Sequence, residues 1–70
     1  MIYVNNFQEY YYSVGRNSKE EAVELRTKII KKTGISPYTF YPKLLGKRPW
    51  KDSEKKIISK IVGISISNLF

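Results

Sequence analysis

The chain has 70 residues, with 13 Lys and Arg against 6 Asp and Glu for a net charge of +7, and it contains neither Cys nor His. That length bounds it to one small domain whose large apolar residues are nearly all needed for the core, leaving little room for a buried catalytic cleft. The missing Cys and His exclude disulfides and thiolate metal sites and remove the commonest general base and the commonest metal ligand.

The carboxylates are scattered as helix caps and helix-face charges, and no glycine-rich phosphate loop occurs. No enzyme activity, cofactor, metal or small-molecule substrate is therefore expected. Met1 to Asn6 has no basic lead and no continuous apolar run, and no stretch is long enough to span a bilayer, so a cytoplasmic chain with no membrane partner is expected. The charge is polarised. Residues 1–30 carry four basic and four acidic residues, whereas residues 31–70 carry nine basic residues and only Asp52 and Glu54. A basic half of this kind is the electrostatic footprint of a polyanion partner, although net charge also keeps a small protein in solution.

Ile2, Tyr3 and Val4 have the β-branched and aromatic content of a short strand or an extended lead-in over residues 1–5. Phe7, Tyr10, Tyr11 and Val14 then fall at i, i+3, i+4 and i+7, the spacing of one helical face. With Asn6 and Glu9 as a capping box and Gly15 as the stop, this predicts a first helix over about 7–14. The second helix has the fullest set of end signals. Ser18 stands as N-cap, Glu21 three residues on, Lys31 and Lys32 in the last turn and Gly34 at the end, predicting a helix over about 19–33. Ala22, Leu25 and Ile29, flanked by Val23 and Ile30, form its buried stripe.

Gly34-Ile35-Ser36 is a tight turn feeding an N-cap, and Pro37 suits the first position of a third helix, where its missing N–H costs nothing. Pro42 stands five residues further on. In a regular interior it would cost roughly 3 kcal/mol, so the helix is expected to kink, or to break into a turn at 37–41 and a second through Lys43, Leu44 and Leu45, with Gly46 ending it either way. Lys47-Arg48-Pro49-Trp50-Lys51 reads as a basic loop. Asp52 or Ser53 then caps a fourth helix with Ile57, Ile58, Ile61 and Val62 inward and Lys55, Lys56 and Lys60 outward. Gly63 stops it, and Ser65 starts a last turn that returns Leu69 and Phe70 to the core. The expected fold is all-α: one domain over 1–70, a compact bundle of four to five short helices.

This order of elements, with Gly34-Ile35-Ser36, Thr39-Phe40, Gly46-Lys47-Arg48-Pro49, Gly63-Ile64-Ser65 and Leu69-Phe70 at its joints, resembles the phage-repressor-like helix-turn-helix domains of the Cro and XRE type over about residues 20–70. The resemblance implies that the third helix lies in the major groove of double-stranded DNA and that the protein regulates transcription, as a repressor-like factor. Ser36, Pro37, Tyr38, Thr39, Tyr41 and Lys43 are then the expected DNA-facing residues, with Phe40 and Leu44 anchoring the helix to the core. Thr and Tyr can reach base edges or a thymine methyl but lack the bidentate code of Arg on guanine. Lys43, Lys47, Arg48 and Lys51 are placed for phosphate contacts. Small helix-turn-helix units commonly use two half-sites, which leaves a homodimer open.

Phe40 and Trp50 read as core residues. Tyr10, Tyr11 and Tyr12 read as core or dimer contacts, with a base-stacking platform as the other use of such a run. Lys55, Lys56 and Lys60 read as a solvated face. Two other functions remain open from the residues: a protein-interaction module, such as a small inhibitor or adaptor docking through exposed tyrosines, and a single-strand nucleic-acid binder acting by aromatic stacking.

Overall fold

The computed structural model describes residues 5–70, and among them it forms five helices and no strand: α1 (Phe7–Asn17), α2 (Lys19–Thr33), α3 (Pro37–Leu44), α4 (Asp52–Val62) and α5 (Ile66–Leu69). The strand or lead-in expected at Ile2, Tyr3 and Val4 lies outside the described residues. Helix α2 is the scaffold, packing against α1, α3 and α4, while α5 packs on α4. The radius of gyration, 11.0 Å, is the value of about 11 Å expected for a folded chain of this length.

Helix α1 does not stop at Gly15. It continues to Asn17, and Ser18 ends it, its N–H donating to the Val14 carbonyl at 2.8 Å. Ser18 has extended backbone (φ −160°, ψ 117°) and its Oγ accepts the Glu21 N–H at 3.2 Å, so one residue closes α1 and opens α2. The expected capping box of Asn6 and Glu9 is not formed either. Asn6 has helical backbone and no cap bond of its own; Asn5 Oδ1 accepts the Gln8 N–H at 3.2 Å instead. Asn6 ties down the far end of the chain, its N–H donating to the Leu69 carbonyl at 2.8 Å and its Nδ2 to the Asn68 carbonyl at 3.1 Å.

Gly15 is thus an ordinary helical glycine, and a Cβ added there would meet Ala22 Cβ at 3.6 Å, normal van der Waals contact. Gly15→Ala is expected to stabilise the protein by about 0.5–1 kcal/mol. Gly34, by contrast, ends α2 in the left-handed region at φ 77°, and Gly34→Ala is expected to cost about 1–2 kcal/mol. Urea unfolding of the two variants checks the opposite signs.

The α2 stripe is narrower than expected. Ala22 and Ile29 are buried and Leu25 and Ile30 pack on the core, but Val23 is 50% exposed. The surface around Val23 is formed by residues of α2 itself, so among the described residues no second element covers that side.

Pro42 neither ends nor splits α3. It deprives the Tyr38 carbonyl of its helical donor, but Phe40 and Leu44 on either side are fully buried and hold the helix to the core. The Pro42 carbonyl in turn accepts the Lys47 N–H at 2.8 Å and the Arg48 N–H at 3.2 Å, while the Gly46 N–H reaches the Lys43 carbonyl at 3.2 Å. With Gly46 at φ 81°, this is a Schellman ending, the six-to-one and five-to-two bonds that close a helix on a left-handed residue. The basic loop therefore leaves α3 along a defined path.

The cap of α4 is Lys51, not Asp52 or Ser53, which are the first two helical residues. A lysine side chain has no acceptor to offer, so the capping is done from the other side: Glu54 Oε1 accepts the Lys51 N–H at 2.9 Å.

The core joins Phe7 and Tyr11 of α1, Ala22 and Ile29 of α2, Phe40 and Leu44 of α3, Ile58 of α4 and Leu69 of α5 around Trp50. Trp50 meets Phe7 edge-on at 5.7 Å between centroids and Phe40 at 6.0 Å, and Phe40 meets Tyr11 at 5.4 Å. These distances suit the edge-to-face packing aromatic rings prefer. Trp50 and Phe40 are core residues, as their size suggested.

Candidate nucleic-acid interface

The face α3 turns outward follows from what it buries. Phe40 and Leu44 are fully buried, and Lys43, between them on the same side, is only 7% exposed. Tyr38, Pro42 and Leu45 recur at i, i+4 and i+7 on the opposite side. Tyr38 is 91% and Leu45 39% exposed, with Pro42 half-buried between them. Ser36 and Pro37 are also exposed, and the Ser36 Oγ accepts the Tyr38 N–H at 3.1 Å. Thr39 flanks this face on one side and Tyr41 on the other.

On the Thr39 side the protein forms a surface groove of ≈ 520 Å³. The turn residues Thr33, Gly34 and Ile35 make one wall, and Arg48, Pro49 and Lys51 of the loop make the other. Lys47, Arg48 and Lys51 are all exposed, as are Lys31 and Lys32 at the end of α2. The Gly34 turn, α3 and the basic loop, consecutive in the sequence, thus border one concave surface that carries Arg48 and Lys51 and whose lining also includes the Lys43–Glu54 pair.

Lys43 departs from expectation. It was expected to face outward to a phosphate, but its Nζ donates to Glu54 Oε1 at 2.5 Å and lies 5.6 Å from the centre of the Trp50 ring. Its charge is neutralised inside the protein, so Lys43 is removed from the set of contact residues. The physical reason lies in α4: Glu54 is buried, and its one oxygen serves both the Lys43 ammonium and the Lys51 N–H. Burial alone would push the Glu54 carboxyl up, but the Lys43 and Lys51 hydrogen bonds and the two positive charges outweigh it and hold it below its ordinary value.

On the Tyr41 side stands Arg26 of α2, whose Nη1 donates to the Tyr41 hydroxyl at 3.2 Å and whose guanidinium lies 5.8 Å from the Tyr41 ring centre. No ion pair to Arg26 occurs among the described residues. Tyr41 is thus held in place and 42% exposed. Tyr11 is buried, and burial first, then the nearby Tyr41 hydroxyl, pushes Tyr11 up to about 12. A raised value means that the folded state favours the neutral phenol. The stability Tyr11 adds is therefore fully present below about pH 10 and is lost as the pH rises toward about 12. Urea midpoints measured on either side of about pH 10 are expected to fall further in the wild type than in Tyr11→Phe.

Lys55, Lys56 and Lys60 stand on α4, with Lys56 and Lys60 exposed and Lys55 partly covered beside Phe70. Of the tyrosine run, Tyr11 is core, Tyr10 packs against the core and Tyr12 is 40% exposed. Among the described residues no helix is long and apolar enough to cross a membrane, and no three acidic side chains gather as a metal site would need. Glu54 and Arg26 were not singled out from the sequence. Each acts on a residue of another helix, 11 residues away for Glu54 and 15 for Arg26, which no helical periodicity signals. Set against family models, curated proteins and solved structures, the chain matches none of them.

Proposed function

We propose that this protein binds double-stranded DNA, with α2, the Gly34 turn and α3 acting as a helix-turn-helix, the outward face of α3 in the major groove, and Lys47, Arg48 and Lys51 on the phosphates. The observation that carries this reading is the shared groove: Thr39 on the flank of α3 lines the same concave surface as Arg48 and Lys51. A helix seated between two backbone walls needs cations beside it, and the loop after Gly46 supplies them on one side as Arg26 does on the other. The α2 to α3 connection of three residues with a left-handed glycine is of the length and kind such motifs use. Transcription regulation, with a homodimer on two half-sites, is the role this reading carries.

Salt-titrated binding to duplex and single-stranded DNA tests it. Duplex affinity is expected to fall linearly in logarithmic coordinates, with a slope of about −0.9 for each phosphate neutralised. A flat salt response would discard the reading, and a preference for single strands would replace it with aromatic stacking.

A further inference from the structure

We propose that the outward face of α3 recognises thymine methyl groups, so that the sites this protein selects carry A·T pairs under Tyr38, Pro42 and Leu45. The inference rests on the duplex-binding reading above and deepens it. Three observations lead to it. First, the only charged residue of α3 is Lys43, and Glu54 holds it inside the protein. Second, the centre of the exposed face consists of a tyrosine ring, a proline and a leucine, with no amide and no guanidinium to read guanine or adenine edges in the bidentate manner. Third, the cations stand on the flanks: Arg48 and Lys51 beyond Thr39, and Arg26 beside Tyr41.

Apolar surface bordered on both sides by cations matches the major groove of A·T-rich duplex, where the thymine C5-methyl is the one apolar group on the floor and phosphates line both edges. The same border argues against a second copy of this chain, whose own flanking cations would meet these. Tyr41 and Thr39, with a hydroxyl each at the margins, set the limits of the face. Tyr38, as its most exposed member, is the specificity-determining residue.

The test uses the full chain and the duplex it enriches most from a random pool. That duplex is expected to contain A·T pairs at its centre. Replacing its thymines with deoxyuridine, which removes only the methyl, is expected to weaken binding about fourfold for each methyl contacted, the equivalent of about 0.8 kcal/mol per methyl buried. Tyr38→Ala, at a site too exposed to disturb the core, is expected to keep the wild-type melting temperature and to abolish most of the discrimination between thymine and deoxyuridine. Equal binding of the two duplexes with the salt dependence intact would overturn this inference and leave duplex binding standing. A G·C centre, or Tyr38→Ala discriminating as wild type, would overturn it too. A DNA-free dimer that Tyr38→Ala dissociates would overturn it in favour of a contact between copies. Failure of the wild type to bind any duplex would instead remove the reading on which it rests.

Discussion

Glu54→Ala is expected to cost about 3–5 kcal/mol, because it leaves a buried ammonium without a partner. A chain of this length has only about 3.5–10 kcal/mol of stability in all, so the variant should be largely unfolded or close to it. Two losses add. Lys43 keeps its charge in a site where it is only 7% exposed, and the Lys51 N–H at the start of α4 loses its acceptor. The double variant Lys43→Met with Glu54→Gln separates these effects. Methionine fills the lysine channel without a charge, and the glutamine oxygen can still accept the Lys51 N–H, so most of the stability is expected to return. The pH dependence has a definite sign. Since the Glu54 carboxyl is held below its ordinary value, its contribution is fully present above the usual glutamate range, about pH 4.3, and is lost as the pH falls through that range and below. Urea unfolding should show a steeper acid loss in the wild type than in the double variant. A cost under about 1 kcal/mol for Glu54→Ala would mean that the pair behaves as a solvent-exposed one.

Which features were legible in the sequence follows from how far their causes lie along the chain. Helix α2 was legible to the residue because its signals are local: Ser18 bonds to Glu21 three positions on, and Gly34 needs only its own left-handed backbone. The anchoring of α3 by Phe40 and Leu44 followed from a spacing of four. Gly15 misled because a glycine ends a helix only when its backbone turns left-handed, and here Ser18, needed extended to open α2, sets the boundary instead. At Pro42 the helix is not broken, with Phe40 and Leu44 on either side of it anchored in the core, so tertiary packing outweighs the local cost of the proline. The site was half legible. The exposed loop cations could be read from the run Lys47-Arg48-Pro49, and the place of Lys43, three after Phe40 and one before Leu44, already puts it on the buried face, but its partner Glu54 stands in another helix and no local pattern names it. Removing Lys43 from the interface changed its chemistry, from a mixed face to an apolar one with cations only at its edges.

The variant with Lys47, Arg48 and Lys51 all replaced by alanine is expected to lose about a hundredfold in duplex affinity at about 0.15 M salt, because three neutralised phosphates contribute a factor near the salt concentration raised to about −2.7. Its salt slope should become shallower by the same 2.7 or so. Folding should be unaffected: all three side chains are exposed, and the hydrogen bonds that close the loop come from the backbone N–H groups of Lys47, Arg48 and Lys51, which alanine retains. The control is the triple alanine variant at Lys55, Lys56 and Lys60, which removes the same charge from α4. If the loop docks on the duplex, the α4 variant should lose much less slope than the loop variant, since a cation that neutralises no phosphate contributes little to the slope. Equal losses would mean that net charge alone drives binding, and the groove between α3 and the loop would have no special part in it.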